Sequence, residues 1–157
     1  MSDVVKNLYV LSSNPFIFAE PMHSFYYSLG AKPKGLLLSY LVLPLVLHPA
    51  SLNFLKKANR NSTMRTFTKK KKEGVLWGLE DRISTWKKET NTTLRYLIDC
   101  DALVQNEDLS FTVGSFDGMG TVSPVDTVKA ASRLGVIFKS HTVVDIYREL
   151  GIKELSI

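Results

Sequence analysis

The stretch GLLLSYLVLPLVLH, Gly35–His48, constrains the fold more than any other part of the chain. Ten of the twelve residues from Leu36 to Leu47 are apolar, and Ser39 and Pro44 are the other two. Such a segment has no polar face. It is either a helix buried all round or a strand covered on both sides. Twelve residues exceed a usual strand, and leucine outnumbers the β-branched residues, so a helix is expected. A membrane span needs roughly 20 apolar residues, so this segment is too short to be one. Pro44 lacks the N–H that would bond the Tyr40 carbonyl and should bend the last turn, and Pro49 marks the stop. Burying ten such side chains at about 1.5–3 kcal/mol each is enough to organise a small domain.

At 157 residues the chain is expected to form one domain. Its parts are N-terminal helices over 14–58, a basic connector over 59–74, helices plus a hairpin over 75–122, and C-terminal helices over 123–157. Hydrophobic content of 45% and charged content of 22% exclude a disordered chain. The single cysteine, Cys100, has no internal partner for a disulfide, and MSDVVKNLYVLSSNP lacks the basic start and cleavage site of a secretion signal. A cytoplasmic protein with no membrane partner is expected.

The fold class is mainly α (α+β): a compact helical domain with one winged-helix-like β-hairpin. Asn14 and Pro15 suit the start of a helix that Gly30 stops, and Pro21 should kink or split it. Ser51–Ala58 forms a short helix, Asn59–Thr63 a turn, and the remainder up to Gly74 a loop or frayed helix. Val75, Leu76, Leu79, Ile83 and Trp86 recur at helical spacing, with a break expected at Thr90-Asn91 before a second helix over Thr92–Asp99. Leu109, Phe111 and Val113 then alternate with Ser110 and Thr112, which gives a hairpin of Ala102–Gln105 against Leu109–Val113. SPVD at Ser123–Asp126 and TVVD at Thr142–Asp145 have the capping-box pattern and start two further helices, the second stopped by Gly151.

No catalytic, cofactor or metal constellation stands out. His23, His48 and His141 are far apart and lack ligand spacing. Cys100 lies between Asp99 and Asp101, which disfavour its thiolate, so a half-buried structural thiol is expected. GSFDGMG, Gly114–Gly120, has no following Lys-Ser/Thr and reads as a connector rather than a phosphate loop. The protein is expected to be no enzyme.

Net charge is +5, yet Lys56–Lys72 holds eight basic residues and no acid, so the rest sums to −3 (+5 minus +8). Arg65, Lys69, Lys70, Lys71 and Lys72 are candidate nucleic-acid contacts through phosphate. The simpler reading is a solvated loop. Phe67 is the only aromatic in the run, so base stacking is not indicated.

Three stretches in order, NPFIFAEPM, LLLSYLVLPLVLHPASLNFL and KAASRLGVIFK, resemble the middle component of bacterial three-component ABC-ATPase conflict systems. The Lamassu antiphage systems carry a similar small subunit. STMRTF and LRYLIDCDALVQ also fall where that family has a helix, then a helix and hairpin. The resemblance covers about Ser13 to Ile152 and rests on apolar pattern. It implies a non-enzymatic adaptor, without cofactor, between an SMC-like ABC ATPase and an effector that is often a nuclease, with DNA contact direct or through the complex. The lysine run departs from the family pattern. An adaptor needs apolar surface for its partners, and Phe16, Phe18, Tyr26, Tyr27 and Trp77 are the candidates. A stand-alone winged-helix regulator is the competing reading, but Thr92–Asp99 offers a major groove only Arg95.

Leu43→Asp places an unpaired charge in the expected core helix and should cost several kcal/mol. A purified variant with an unchanged thermal midpoint would put this segment on the surface instead.

Overall fold

The computed structural model describes residues 15–69, 74–117 and 123–153. Among them are seven α-helices and one two-stranded antiparallel sheet, a mainly α fold with a β-hairpin. The helices are α1 (Pro15–Leu29), α2 (Ser39–Val46), α3 (Pro49–Lys57), α4 (Met64–Lys69), α5 (Leu79–Asp99), α6 (Val125–Lys139) and α7 (Val143–Glu149). The strands β1 (Leu103–Gln105) and β2 (Phe111–Val113) follow α5, and Leu103 pairs with Val113 and Gln105 with Phe111. No described helix is long and apolar enough to cross a membrane.

The apolar stretch is the centre of the core. It divides into a 3-10 turn, Gly35–Leu38, and α2, of which Ser39 and Leu41–Val46 are buried. The uninterrupted helix expected from Leu36 does not form, because the backbone of the first turn bonds outward. Lys34 and Leu36 donate to the Asp108 and Leu109 carbonyls, both at 2.8 Å. The Gly35 carbonyl accepts from Tyr26 Oη at 2.7 Å, and the Leu37 carbonyl from Tyr147 Oη. Burial pushes the Tyr26 phenol well above its ordinary pKa, so it remains a donor. At the far end the chain bends by 99° after Val46, and Pro49 is the first residue of α3.

α1 and α6 make the most extensive helix–helix contact. Ala19, Met22, Phe25, Tyr26 and Leu29 on α1 face Ala130, Ala131, Leu134 and Phe138 on α6, all buried. Ser28 and Ser132 hydroxyls meet at 2.7 Å. At Gly135 the backbones are so close that a Cβ would lie 2.5 Å from the Phe25 carbonyl oxygen.

The first helix is not split at Pro21, and the break expected at Thr90-Asn91 does not occur. α1 runs through Pro21. That proline leaves the Ile17 carbonyl without its helical donor, and Ser123 Oγ supplies one at 2.7 Å. Ser123 therefore does not cap α6, whose N-terminal flank is Pro124 with no side-chain cap. α5 likewise passes through Thr90-Asn91 as one 21-residue helix. Thr90 and Thr93 are fully buried, and Tyr40 Oη donates to Asn91 Oδ1 at 2.7 Å, so packing overrides weak helix propensity. By contrast Thr142 caps α7 as expected, accepting from the Asp145 N–H at 3.2 Å. The expected Asn14 cap lies outside the described residues.

Gly135→Ala gives a sign test. Alanine normally gains about 1 kcal/mol over glycine in a helix. Here the obstructing atom is backbone, and overpacking costs about 1–3 kcal/mol. A thermal midpoint lowered by roughly 2–6 °C is expected. A raised midpoint would show that α1 and α6 separate freely.

Candidate partner interface

Trp77 is the most elaborately supported of the exposed aromatic residues. It is 69% exposed on the turn Gly74–Gly78 that leads into α5. Gly74 has φ +80, and its missing side chain leaves room for the indole, since a Cβ there would lie 3.1 Å from Trp77 Cε3. Three carbonyls of the turn are held by side chains. His48 Nε2 bonds the Gly74 oxygen at 2.9 Å. Arg82 Nη2 donates to Val75 O at 2.9 Å and Trp77 O at 3.0 Å, and its Nε also reaches Trp77 O at 3.2 Å. The remaining arm, Nη1, donates to the Pro44 carbonyl at the end of α2. A planar guanidinium with fixed donors suits this four-way grip better than an ammonium. Partial burial lowers the Arg82 pKa from its ordinary value, which still leaves it charged at neutral pH. The turn is thus tied to the core, and the indole is presented on a pre-organised support.

The other expected surface aromatics divide. Tyr27 is 76% exposed on α1. Phe16 is exposed and sits edge-on to Tyr96, ring centres 5.0 Å apart. Contrary to expectation, Phe18 and Tyr26 do not reach the surface. Both are buried, Phe18 against Trp86 at 5.6 Å and Tyr26 against Phe111 at 4.8 Å. Helical phase accounts for this, because Phe18, Met22, Phe25, Tyr26 and Leu29 form one stripe and Tyr27 lies off it. The fold also extends the aromatic row from Phe16 through Tyr96 to Phe116, at 6.3 Å, and on to His23, at 5.3 Å. Tyr96 and Phe116 had no sequence signal, since they come from α5 and the chain after β2.

Arg65 and Lys69 are exposed on α4, while Lys70, Lys71 and Lys72 lie outside the described residues. No described group of three His, Cys, Asp or Glu is placed to hold a metal. His23 Nε2 bonds Gly114 O at 2.8 Å, so His23, like His48, serves a backbone carbonyl. Cys100 is exposed rather than half-buried, and it lies just past the C-terminal end of α5. A shallow groove of about 370 Å³ between α1 and α6 is lined by Glu20, Ser24, Lys129 and Arg133, with no one sign of charge.

The model of one family, the ABC-three component (ABC-3C) system Middle Component 3, matches residues 2–154. The chain belongs to that family. It matches no curated protein and no solved structure. Membership over nearly the whole chain makes it the middle component of an ABC-3C system, as the apolar pattern implied. A middle component acts among other components, and exposed aromatic residues on a stiff support suit that position.

Arg82→Met keeps the aliphatic stem and removes the fork. It should lower the stability of the middle component by about 1–3 kcal/mol, since partly buried carbonyls lose their donors. In a Trp86→Phe background, Trp77 fluorescence anisotropy should fall. Unchanged anisotropy would mean that the turn is held without Arg82.

Proposed function

We propose that this middle component is a non-enzymatic adaptor, joining an SMC-like ABC ATPase to an effector, often a nuclease, in a bacterial antiphage or anti-plasmid defence complex like the Lamassu systems. The observation that carries this reading is the family match over residues 2–154, which assigns the chain to a multi-component system. Trp77 and Tyr27 are its proposed contact residues. They are large aromatics exposed by 69% and 76%, in a protein whose core is complete without them. An adaptor needs two partner surfaces. Tyr27 on α1 and Trp77 on the turn before α5 come from separate elements, so each is assigned to a different partner.

The stand-alone regulator is less well supported. The last turns of α5 carry one basic residue, Arg95, and it lies 4.0 Å from Asp99. A recognition helix usually presents several polar or basic side chains to base edges.

The test is co-expression of the tagged chain with the products of its neighbouring genes, followed by purification and mass spectrometry. An ATPase and an effector should co-purify. Trp77→Ala should weaken one of the two contacts about 30-fold, the loss expected of a hot-spot residue worth about 2 kcal/mol, and leave the other intact. Recovery of the chain alone, with specific DNA bound, would replace the adaptor by the regulator.

A further inference from the structure

We propose that the edge formed by the end of α3, the turn after it and α4 contacts duplex nucleic acid, with Lys57, Arg60, Arg65 and Lys69 meeting backbone phosphates. The inference does not depend on the adaptor reading, and its test needs no partner protein.

The sequence alone leaves this segment as a charged loop, and most charged loops are merely solvated. The fold changes that. Met64 and Phe67 are buried, and Phe67 packs on Phe54 at 5.3 Å, so α4 is anchored to the body. Arg65 and Lys69, four residues apart, then share its outward face about 6 Å apart along the axis. The turn before α4 is also fixed. Asn59 Oδ1 accepts from the Asn61 N–H at 2.9 Å, and Thr66 Oγ1 from the Thr63 N–H at 2.7 Å. Arg60 projects from that turn and is exposed. The cations therefore stand on an ordered surface and lose less entropy on binding than a flexible tail would.

Neighbouring basic residues are committed elsewhere, which defines the set. Lys56 pairs with Asp126 at 3.2 Å. Arg133 donates to the Leu55 carbonyl at 3.0 Å and to that of Lys56, and so caps α3. Lys57, Arg60, Arg65 and Lys69 are exposed and have no ion pair among the described residues. No acidic residue occurs between Glu20 and Glu73, so the segment itself supplies no counter-charge. The neighbouring helix α7 brings Asp145, which is 3.6 Å from Arg148, and the exposed Glu149.

Charge complementarity indicates a polyanion, and the side-chain inventory indicates a duplex. Single-strand binders stack bases on exposed aromatics. The aromatics of this edge, Phe54 and Phe67, face inward as its hydrophobic anchor. Four cations without an aromatic platform fit contacts that position a duplex without reading its sequence.

The experiment follows binding of the full chain to a short fluorescein-labelled duplex of arbitrary sequence across a salt series. Replacing Lys57, Arg60, Arg65 and Lys69 by serine should weaken binding to every sequence. It should reduce the slope of log affinity against log salt by about 3–4, at about 0.9 per phosphate contact. A control variant of equal charge, with serine at the exposed Lys88, Lys129, Lys139 and Lys153, should keep most of that slope. Equal losses in the two variants would reduce the effect to net charge and overturn the proposal. Superimposed wild-type and edge-variant curves would do the same, as would polyglutamate competing as well as DNA at matched charge, which would point to an acidic protein surface. The pair Arg65→Ser and Lys69→Ser, both on the solvent face of α4, repeats the measurement at half the change if the fourfold variant unfolds.

Discussion

A helix buried all round has no water to satisfy the backbone groups at its ends. α2 comes close to this, being buried at every residue but Tyr40, and much of the architecture can be understood as the supply of partners for its ends. At its entry, hydroxyls from α1 and α7 and carbonyls from the hairpin turn meet the Lys34–Leu37 backbone. At its exit, the Ser51 hydroxyl of α3 donates to the Leu45 carbonyl, and Arg82 of α5 donates to Pro44. Elements distant in sequence therefore converge on one short segment. A buried carbonyl left without its donor costs about 1–3 kcal/mol. The apolar stretch requires the other elements through its backbone as well as through its side chains.

Pattern that lies within one element was legible in the sequence. The buried status of Leu41–Val46, the stops at Gly30 and Gly151, the Thr142 cap and the hairpin all follow from local spacing and residue type. Features that depend on a distant donor were not legible. Pro21 reads as a break until Ser123 is known to serve the carbonyl it leaves free. For the same reason Ser123 reads as a cap until that hydroxyl is committed. Thr90-Asn91 reads as a helix end until Thr90 is seen packed in the core.

The candidate site divides along the same line. In the sequence Trp77 and Tyr27 stood out only as large aromatics, on the same footing as Phe18 and Tyr26, which the fold buries. The support beneath Trp77 was not visible there, because it joins Gly74, His48, Arg82 and Pro44 from four parts of the chain. The basic run was conspicuous in the sequence. Its conversion from a loop into an anchored face depends on Met64 and Phe67 finding the core, and six residues are too few for a helix that stands alone.

One guanidinium thus joins the last turn of the central helix to the turn that displays the indole. The two ends of that link share one free energy. Whatever holds Trp77 in place favours the arrangement in which the Pro44 carbonyl is occupied, and the folded protein gains in proportion to how tightly it is held. By the same reciprocity, loosening the core near Pro44 reduces the fraction of molecules in which Trp77 is held in place. The exposed turn is then a readout of the interior: under the contact role proposed for Trp77, a misfolded copy would present a mobile indole and compete poorly for a place in the assembly.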